Sequence, residues 1–224
     1  MCGIAGILDF AEDALINEEE VRRMLAVIRN RGPDQFGIYR DRRAALGSAR
    51  LSIVDLGGGQ QPICNEDGSR WIVFNGEIFN HVELRPELEA FGHRFATESD
   101  TEVLLHMYEQ YGPRCLERLN GQFAFAVWDN RDQTLFLARD RLGVRPLFYT
   151  WNGRRLIFGS AIKALLTQPQ VPAEIDPASQ SGFYLLAGVS QRSFGMSRRR
   201  SCAPPPRRCS SFPSWSGIAD SKSS

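Results

Sequence analysis

The sequence predicts an α+β fold built on antiparallel sheets. Two strand pairs are joined locally: Gly121–Asp129 with Thr134–Arg139 through Asn130-Arg131-Asp132-Gln133, and Leu147–Trp151 with Arg154–Gly159 around Asn152-Gly153, a strong two-residue turn signal. Helical periodicity comes in groups and does not alternate with strands, which argues against βαβ units. Along 121–129, Phe123, Phe125 and Val127 alternate with Ala124, Ala126 and Trp128. Both faces of that strand are apolar, so its sheet must be covered on both sides.

The elements follow in chain order. Residues 2–9 read as a short apolar strand. Asn17 is a candidate N-cap, with Glu18, Glu19 and Glu20 in the first turn where the helix dipole favours acids. Val21, Met24, Leu25 and Ile28 then repeat at helical spacing, ending near Asn30. Arg31-Gly32-Pro33-Asp34 is a turn by composition. Strands are expected at Gln35–Tyr39 and Ala45–Ile53, a glycine-rich loop at 57–61, and a strand at Arg70–Asn75 running into Gly76-Glu77. A helix is expected over Phe79–Phe91, with a break or late start because Pro86 falls inside it. Ser99-Asp100-Thr101-Glu102 has the form of a capping box and opens the helix carrying Val103, Leu104, Met107 and Tyr108. Ile162–Leu166 forms a short helix ended by Pro169.

Composition excludes several function classes. The 224 residues carry a formal net charge of +1, so no bulk charge favours nucleic acid or a membrane surface. No apolar run approaches the roughly 20 residues that span a bilayer. The N-terminus carries Asp9, Glu12 and Asp13 and lacks a basic n-region, unlike a signal peptide. The five cysteines (Cys2, Cys64, Cys115, Cys202 and Cys209) are odd in number and scattered without a C-x-x-C, which argues against disulfides or zinc and for a reducing, cytoplasmic compartment. His81, His93 and His106 have no partner at metal or triad spacing and read as structural or surface residues; no metal site is expected. From about residue 178 the chain becomes rich in Ser, Arg and Pro, and 178–224 is expected to be a disordered tail following a domain over 1–177. Its abrupt onset resembles a shifted reading frame.

The chemistry begins at Cys2. Removal of Met1 would leave one residue with both a thiol and a free α-amine, and a terminal amine of pKa about 7.7–8.0 is a suitable proton acceptor for its own side chain. Read by itself, Cys2 is better explained as a small buried apolar residue. Likewise Asn75-Gly76 by itself is an ordinary turn after a strand, Arg50 a solvated strand-end arginine and Asp100 a helix-capping acid.

Taken in order, the motifs change those readings. Cys2-Gly3-Ile4-Ala5-Gly6, Arg31-Gly32-Pro33-Asp34, Arg50-Leu51-Ser52-Ile53-Val54-Asp55, Phe74-Asn75-Gly76-Glu77-Ile78, Ser99-Asp100-Thr101-Glu102, Leu119–Phe125 and Arg139–Leu147 together resemble the glutaminase half of asparagine synthetase, a class II, N-terminal-nucleophile glutamine amidotransferase. The resemblance implies a four-layer αββα sandwich of two antiparallel sheets, and hydrolysis of the L-glutamine side-chain amide. It implies Cys2 as nucleophile, with Asn75 and the Gly76 N–H as donors to the oxyanion. For the substrate's α-carboxylate it implies Arg50, with backbone groups of Leu51, Ser52, Ile53 and Val54 lining the pocket. For the α-ammonium it implies Glu77 and Asp100. Glycine at 76 is expected because no Cβ then blocks the approach. Arg31 and Asp34 read as supports of the loop near the nucleophile.

The glutaminase step needs no cofactor. ATP and magnesium would enter only with a synthetase domain supplied elsewhere, as a partner in trans. Ser216-Gly217-Ile218-Ala219-Asp220-Ser221 is only a partial echo of that domain's pyrophosphate loop. Ala161 stands where the family usually has glutamate, so the family's local salt bridge is not expected here. Two other expectations stay open: an amidotransferase acting on another acceptor (amino sugar, phosphoribosylamine or polysaccharide), and an inactive remnant of a disrupted gene.

Overall fold

A computed structural model describes residues 2–11, 14–51 and 59–173, with the backbone of 218–219. The expected tail lies outside these residues apart from that dipeptide. The compact unit described below runs through Gln168 and includes the dipeptide; of the other unit, only the turn at 169–173 is described.

Two five-stranded sheets form the centre. The first has the order β2 (Gln35–Arg40), β3 (Ala44–Arg50), β1 (Gly3–Asp9), β9 (Arg155–Gly159), β8 (Phe148–Trp151), all antiparallel. The second has the order β10 (Ile218–Ala219), β7 (Thr134–Arg139), β6 (Gly121–Asp129), β5 (Arg70–Ile78), β4 (Ile63–Cys64), antiparallel except for the short β10–β7 bridge. Helices α1 (Glu18–Val27) and α4 (Ile162–Leu165) pack on the first sheet. Helices α2 (His81–Ala90) and α3 (Asp100–Tyr111) belong to the second.

Burial explains the layering. Ile4, Leu46 and Phe158 of the first sheet meet Val73, Ala126 and Trp128 of the second in one apolar cluster. The opposite face of the second sheet, with Phe74, Phe125 and Val127, packs against Leu84, Leu88, Val103 and Met107 of the helices. The alternation along β6 is thus divided between two cores, as its two apolar faces require. The Trp128 indole N–H finds its partner across the sandwich, donating to Asp41 Oδ2 at 2.6 Å. On the outer face, a Cβ at Gly47 would lie 2.6 Å from Val21 Cγ1 of α1, so glycine there permits close helix–sheet contact.

Several expectations need correction. β5 continues through Asn75, Gly76 and Glu77, so that segment is not a turn. Helix α2 starts late, at His81, and passes through Pro86 unbroken; the carbonyl that Pro86 cannot bond belongs to exposed Val82. The box at α3 is half formed. Ser99 Oγ accepts from Thr101 N, but the Glu102 carboxylate reaches past Ser99 to Ala96 N (2.8 Å) and Thr97 N (2.7 Å). The β8–β9 connection spans 152–154, closed by Asn152 Oδ1 accepting from Arg154 N and Arg155 N, and is one residue longer than a two-residue turn. The two-residue β4 was not anticipated.

Candidate active site

Cys2 stands at the head of β1, the middle strand of its sheet. Its thiol is partly buried and points to the Leu51 carbonyl, with Sγ 3.7 Å from the oxygen. Arg31 Nε donates to the Cys2 carbonyl at 3.4 Å. Burial and the neighbouring Arg145 cation lower the Arg31 pKa, with Cys2 opposing the shift. Arg31 therefore holds the Cys2 backbone.

A cavity of about 100 Å³ opens beside this thiol, lined among others by Arg50, Asn75, Gly76, Glu77, Asp100 and Arg145. Cys2 and Leu51 line it too. The sequence-derived candidates Cys2, Arg50, Leu51, Asn75, Gly76, Glu77 and Asp100 therefore meet at one place. Ser52, Ile53 and Val54 lie outside the described residues.

The edge of β5 builds the polar wall. In an antiparallel sheet, backbone N–H groups two residues apart point to the same side. Phe74 N donates to Gln61 Oε1 at 2.7 Å, and Ile78 N donates to Asp100 Oδ2 at 3.0 Å. Between them the Gly76 N–H points to the same edge. Its opposite number on β6, Phe123, faces the other way, bonding to Asp140 through both N and O. β4 covers β5 only at Trp71 and Ile72, so this edge lies beyond the β4 pairing. Asn75 points into the space between the sheets. Its side chain is 0% exposed, and neither Nδ2 nor Oδ1 has a hydrogen-bond partner among the described residues. Buried polar groups are ordinarily paired, so an orphaned amide at a cavity is available to a ligand.

Glycine at 76 has a different cause from the one expected. A Cβ there would stand 2.2 Å from Gln122 O and 2.7 Å from Phe123 Cα, so packing against β6 requires glycine.

Arg50 is buried at the end of β3, and its Nη1 donates to Gln35 Oε1 at 2.8 Å. A Cβ at Gly59 would lie 2.7 Å from Arg50 Nη2, so the backbone at Gly59 passes close to the guanidinium. Asp100 is the first residue of α3 and 6% exposed; burial pushes its carboxyl pKa up, although the Ile78 N–H opposes the shift. Glu77 is exposed at the rim and also raises Asp100 by like charge.

Five lining residues were not among the candidates: Gln61, Phe74, Ser99, Thr101 and Arg145. Gln61 bridges Phe74 N and Thr101 Oγ1, tying β5 to the start of α3. Arg145 reaches the cavity from a turn organised by buried Asp140, whose carboxylate accepts from Phe123 N, Val144 N and Arg145 N. Arg139 closes that turn by donating to the Arg145 and Gly143 carbonyls. The run Arg139–Leu147 contained the signal for Arg145; nothing in the spacing marked Gln61. Ala161 leaves α4 without a side-chain cap.

A protein-family model described as the glutamine amidotransferase domain matches residues 1–200. Glutamine-hydrolyzing asparagine synthetase 3 of Bacillus subtilis is 44% identical over 186 residues, covering 82% of this chain and 30% of that protein. Glutamine-hydrolyzing asparagine synthetase 2 of rice (Oryza sativa subsp. japonica) is 41% identical over 166 residues, 74% of this chain and 28% of the relative. The chain thus spans under a third of the length of these relatives. Among solved structures, glutamine phosphoribosylpyrophosphate amidotransferase from Bacillus subtilis superimposes with a TM-score of 0.62 at 23% identity, covering 74% of this chain and 43% of that one, and shares the fold. None of the described helices is long and apolar enough to cross a membrane. With the family match running through both sheets and every strand that meets at the cavity, the chain belongs to the glutamine amidotransferase domain family.

Proposed function

We propose that this chain hydrolyses the side-chain amide of L-glutamine to glutamate and ammonia through a thioester on Cys2. It is the ammonia-supplying part of an asparagine-forming enzyme whose synthetase portion, with its ATP and magnesium, lies outside this chain. The reading also takes 1–177 as the amidotransferase domain, working in the cytoplasm.

With Met1 removed, the Cys2 α-amine accepts the thiol proton and Sγ attacks the amide carbon. Negative charge then develops on the carbonyl oxygen, where Asn75 Nδ2 and the Gly76 N–H act as donors. Collapse breaks the C–N bond; the proton passes from the amine to the departing nitrogen, and ammonia leaves a thioester. Water activated by the same amine attacks the thioester, releasing glutamate and restoring the thiol. Arg50 pairs with the α-carboxylate, and Asp100, with Glu77 at the rim, accepts from the α-ammonium. Gln61 and Arg145 shape the walls of the pocket.

The observation that carries this reading is Asn75, a fully buried amide without a partner among the described residues, in the same cavity as the Cys2 thiol. The test is glutamate release from glutamine by the purified chain with its processed N-terminus, against a Cys2→Ala control. Release that disappears in Cys2→Ala supports the proposal. Equal release by the control, or none by correctly processed, folded protein, overturns it.

A further inference from the structure

Away from the cavity, the structure gathers four metal-ligating side chains that the sequence keeps apart. Glu66 lies in the turn after β4, His93 just after α2, and His106 and Glu109 on α3. This corrects the expectation that the histidines lack partners at metal spacing. One ligand atom from each residue falls within a group no more than 4.8 Å across. His106 Nδ1 is 2.7 Å from Glu109 Oε2 and 3.8 Å from Glu66 Oε2. His93 Nδ1 is 3.7 Å from Glu66 Oε1 and 3.8 Å from Glu109 Oε2. A tetrahedral ion with bonds of 2.0–2.1 Å needs its ligands about 3.3 Å apart. The observed separations straddle that value, so shifts below about 1 Å complete the shell.

The outer partners point the same way. A ligating imidazole ordinarily donates its second N–H outward to a carboxylate or carbonyl, and ligating carboxylates are themselves held. His106 Nε2 is buried without a hydrogen bond, and Glu102 Oε1 stands 3.8 Å behind it. Glu102 is fixed there by Ala96 N and Thr97 N. His93 Nε2 faces Gln110 Oε1 at 3.4 Å. Glu109 Oε1 is taken by Asn65 Nδ2 (2.6 Å) and Arg70 Nη1 (3.1 Å), leaving Oε2 to face the cluster. Glu66 Oε1 accepts from Arg94 N at 2.9 Å. His93, Glu109 and Glu66 are thus each held from outside by a second group, and a carboxylate stands behind His106.

A proton alone leaves the cluster incomplete. It joins His106 to Glu109, but His93 Nδ1 remains beyond hydrogen-bond reach of both carboxylates. A dication satisfies all four donors, and two carboxylates balance its charge. Exposed Glu66 and partly exposed His93 give it access from solvent. We propose that Glu66, His93, His106 and Glu109 form a tetrahedral divalent-metal site of the zinc class. There the ion ties the β4–β5 turn and the α2–α3 connection to α3, the helix whose first residue is Asp100.

The test is titration of chelator-stripped full-length chain, and of the same chain carrying Cys2→Ala, with cobalt(II) and then zinc(II). One equivalent of cobalt should give the intense visible bands of tetrahedral nitrogen–oxygen coordination, unchanged in Cys2→Ala. Zinc should displace it and raise the thermal midpoint. Glu66→Gln and His93→Ala, both at the accessible side, should each weaken zinc binding by at least about 10-fold with circular dichroism unchanged. The proposal is overturned by failure to saturate at one equivalent, by a thiolate-to-metal charge-transfer band assigning the ion to cysteine, or by wild-type affinity in both variants.

Discussion

Replacing Asn75 by alanine should separate catalysis from stability. Both polar atoms of the Asn75 amide are buried and unpartnered among the described residues. Leaving such a group unsatisfied costs about 1–3 kcal/mol, which alanine recovers. Against this, the space left by the amide costs roughly 1–2 kcal/mol. The two nearly cancel, so unfolding in urea should change by about 1 kcal/mol or less. Glutamate release should fall about 10²–10³-fold, equivalent to about 2.7–4 kcal/mol, the loss expected when one oxyanion donor is removed. The paired assays are initial rates at saturating glutamine and equilibrium unfolding of the same preparation. A rate within about threefold of wild type would refute the donor role. A stability loss of about 3 kcal/mol or more would refute the premise that the amide is orphaned in the free chain.

Four further outcomes follow from named residues. Gly76→Ala places a Cβ 2.2 Å from Gln122 O, so denaturant unfolding should show a loss of about 3 kcal/mol or more. Asp100→Asn should raise KM for glutamine about 10-fold or more, the worth of one charge-assisted hydrogen bond, with a smaller change in kcat. Burial raises the Asp100 pKa in the folded chain, so the native state binds more protons than the unfolded one between about 3.9 and that raised value. The Asp100 contribution to stability therefore falls as pH rises through that window, and Asp100→Asn should remove it, making the slope of stability against pH more positive there. Cys115 is fully buried with its thiol pushed up to about 12, so alkylation at pH 8, read by peptide mass, should spare it until the protein unfolds.

The sequence revealed the fold wherever local signals agreed with burial. Asn17 caps α1 by accepting from Glu19 N, and the double-faced apolar pattern of β6 meets two cores. It misled where a tertiary contact outbid a local one. Asn75-Gly76 has the composition of a turn, yet it runs on as strand because β6 pairs with it through Gly121. Glu102 has the spacing of a reciprocal cap, yet its carboxylate is drawn to Ala96 and Thr97, with His106 behind it. The seven described site candidates were legible only as a joint pattern of motifs, since each has an ordinary local explanation. Gln61 stayed hidden because a lone glutamine in a loop has no period or spacing to mark it. The Glu66–His93–His106–Glu109 cluster was invisible for a related reason: its members come from three separate segments and meet only after α2 and α3 pack.

The proposed chemistry requires an unblocked amine sharing a residue with the thiol at the cavity. The most direct measurement is the intact mass of the purified chain before and after treatment with an electrophilic glutamine analogue, followed by peptide mapping. The expected result is a chain lacking Met1 that gains one adduct, on Cys2, with free glutamine protecting it. A chain that retains Met1, or an adduct on Cys64 or Cys115 with Cys2 untouched, would contradict it.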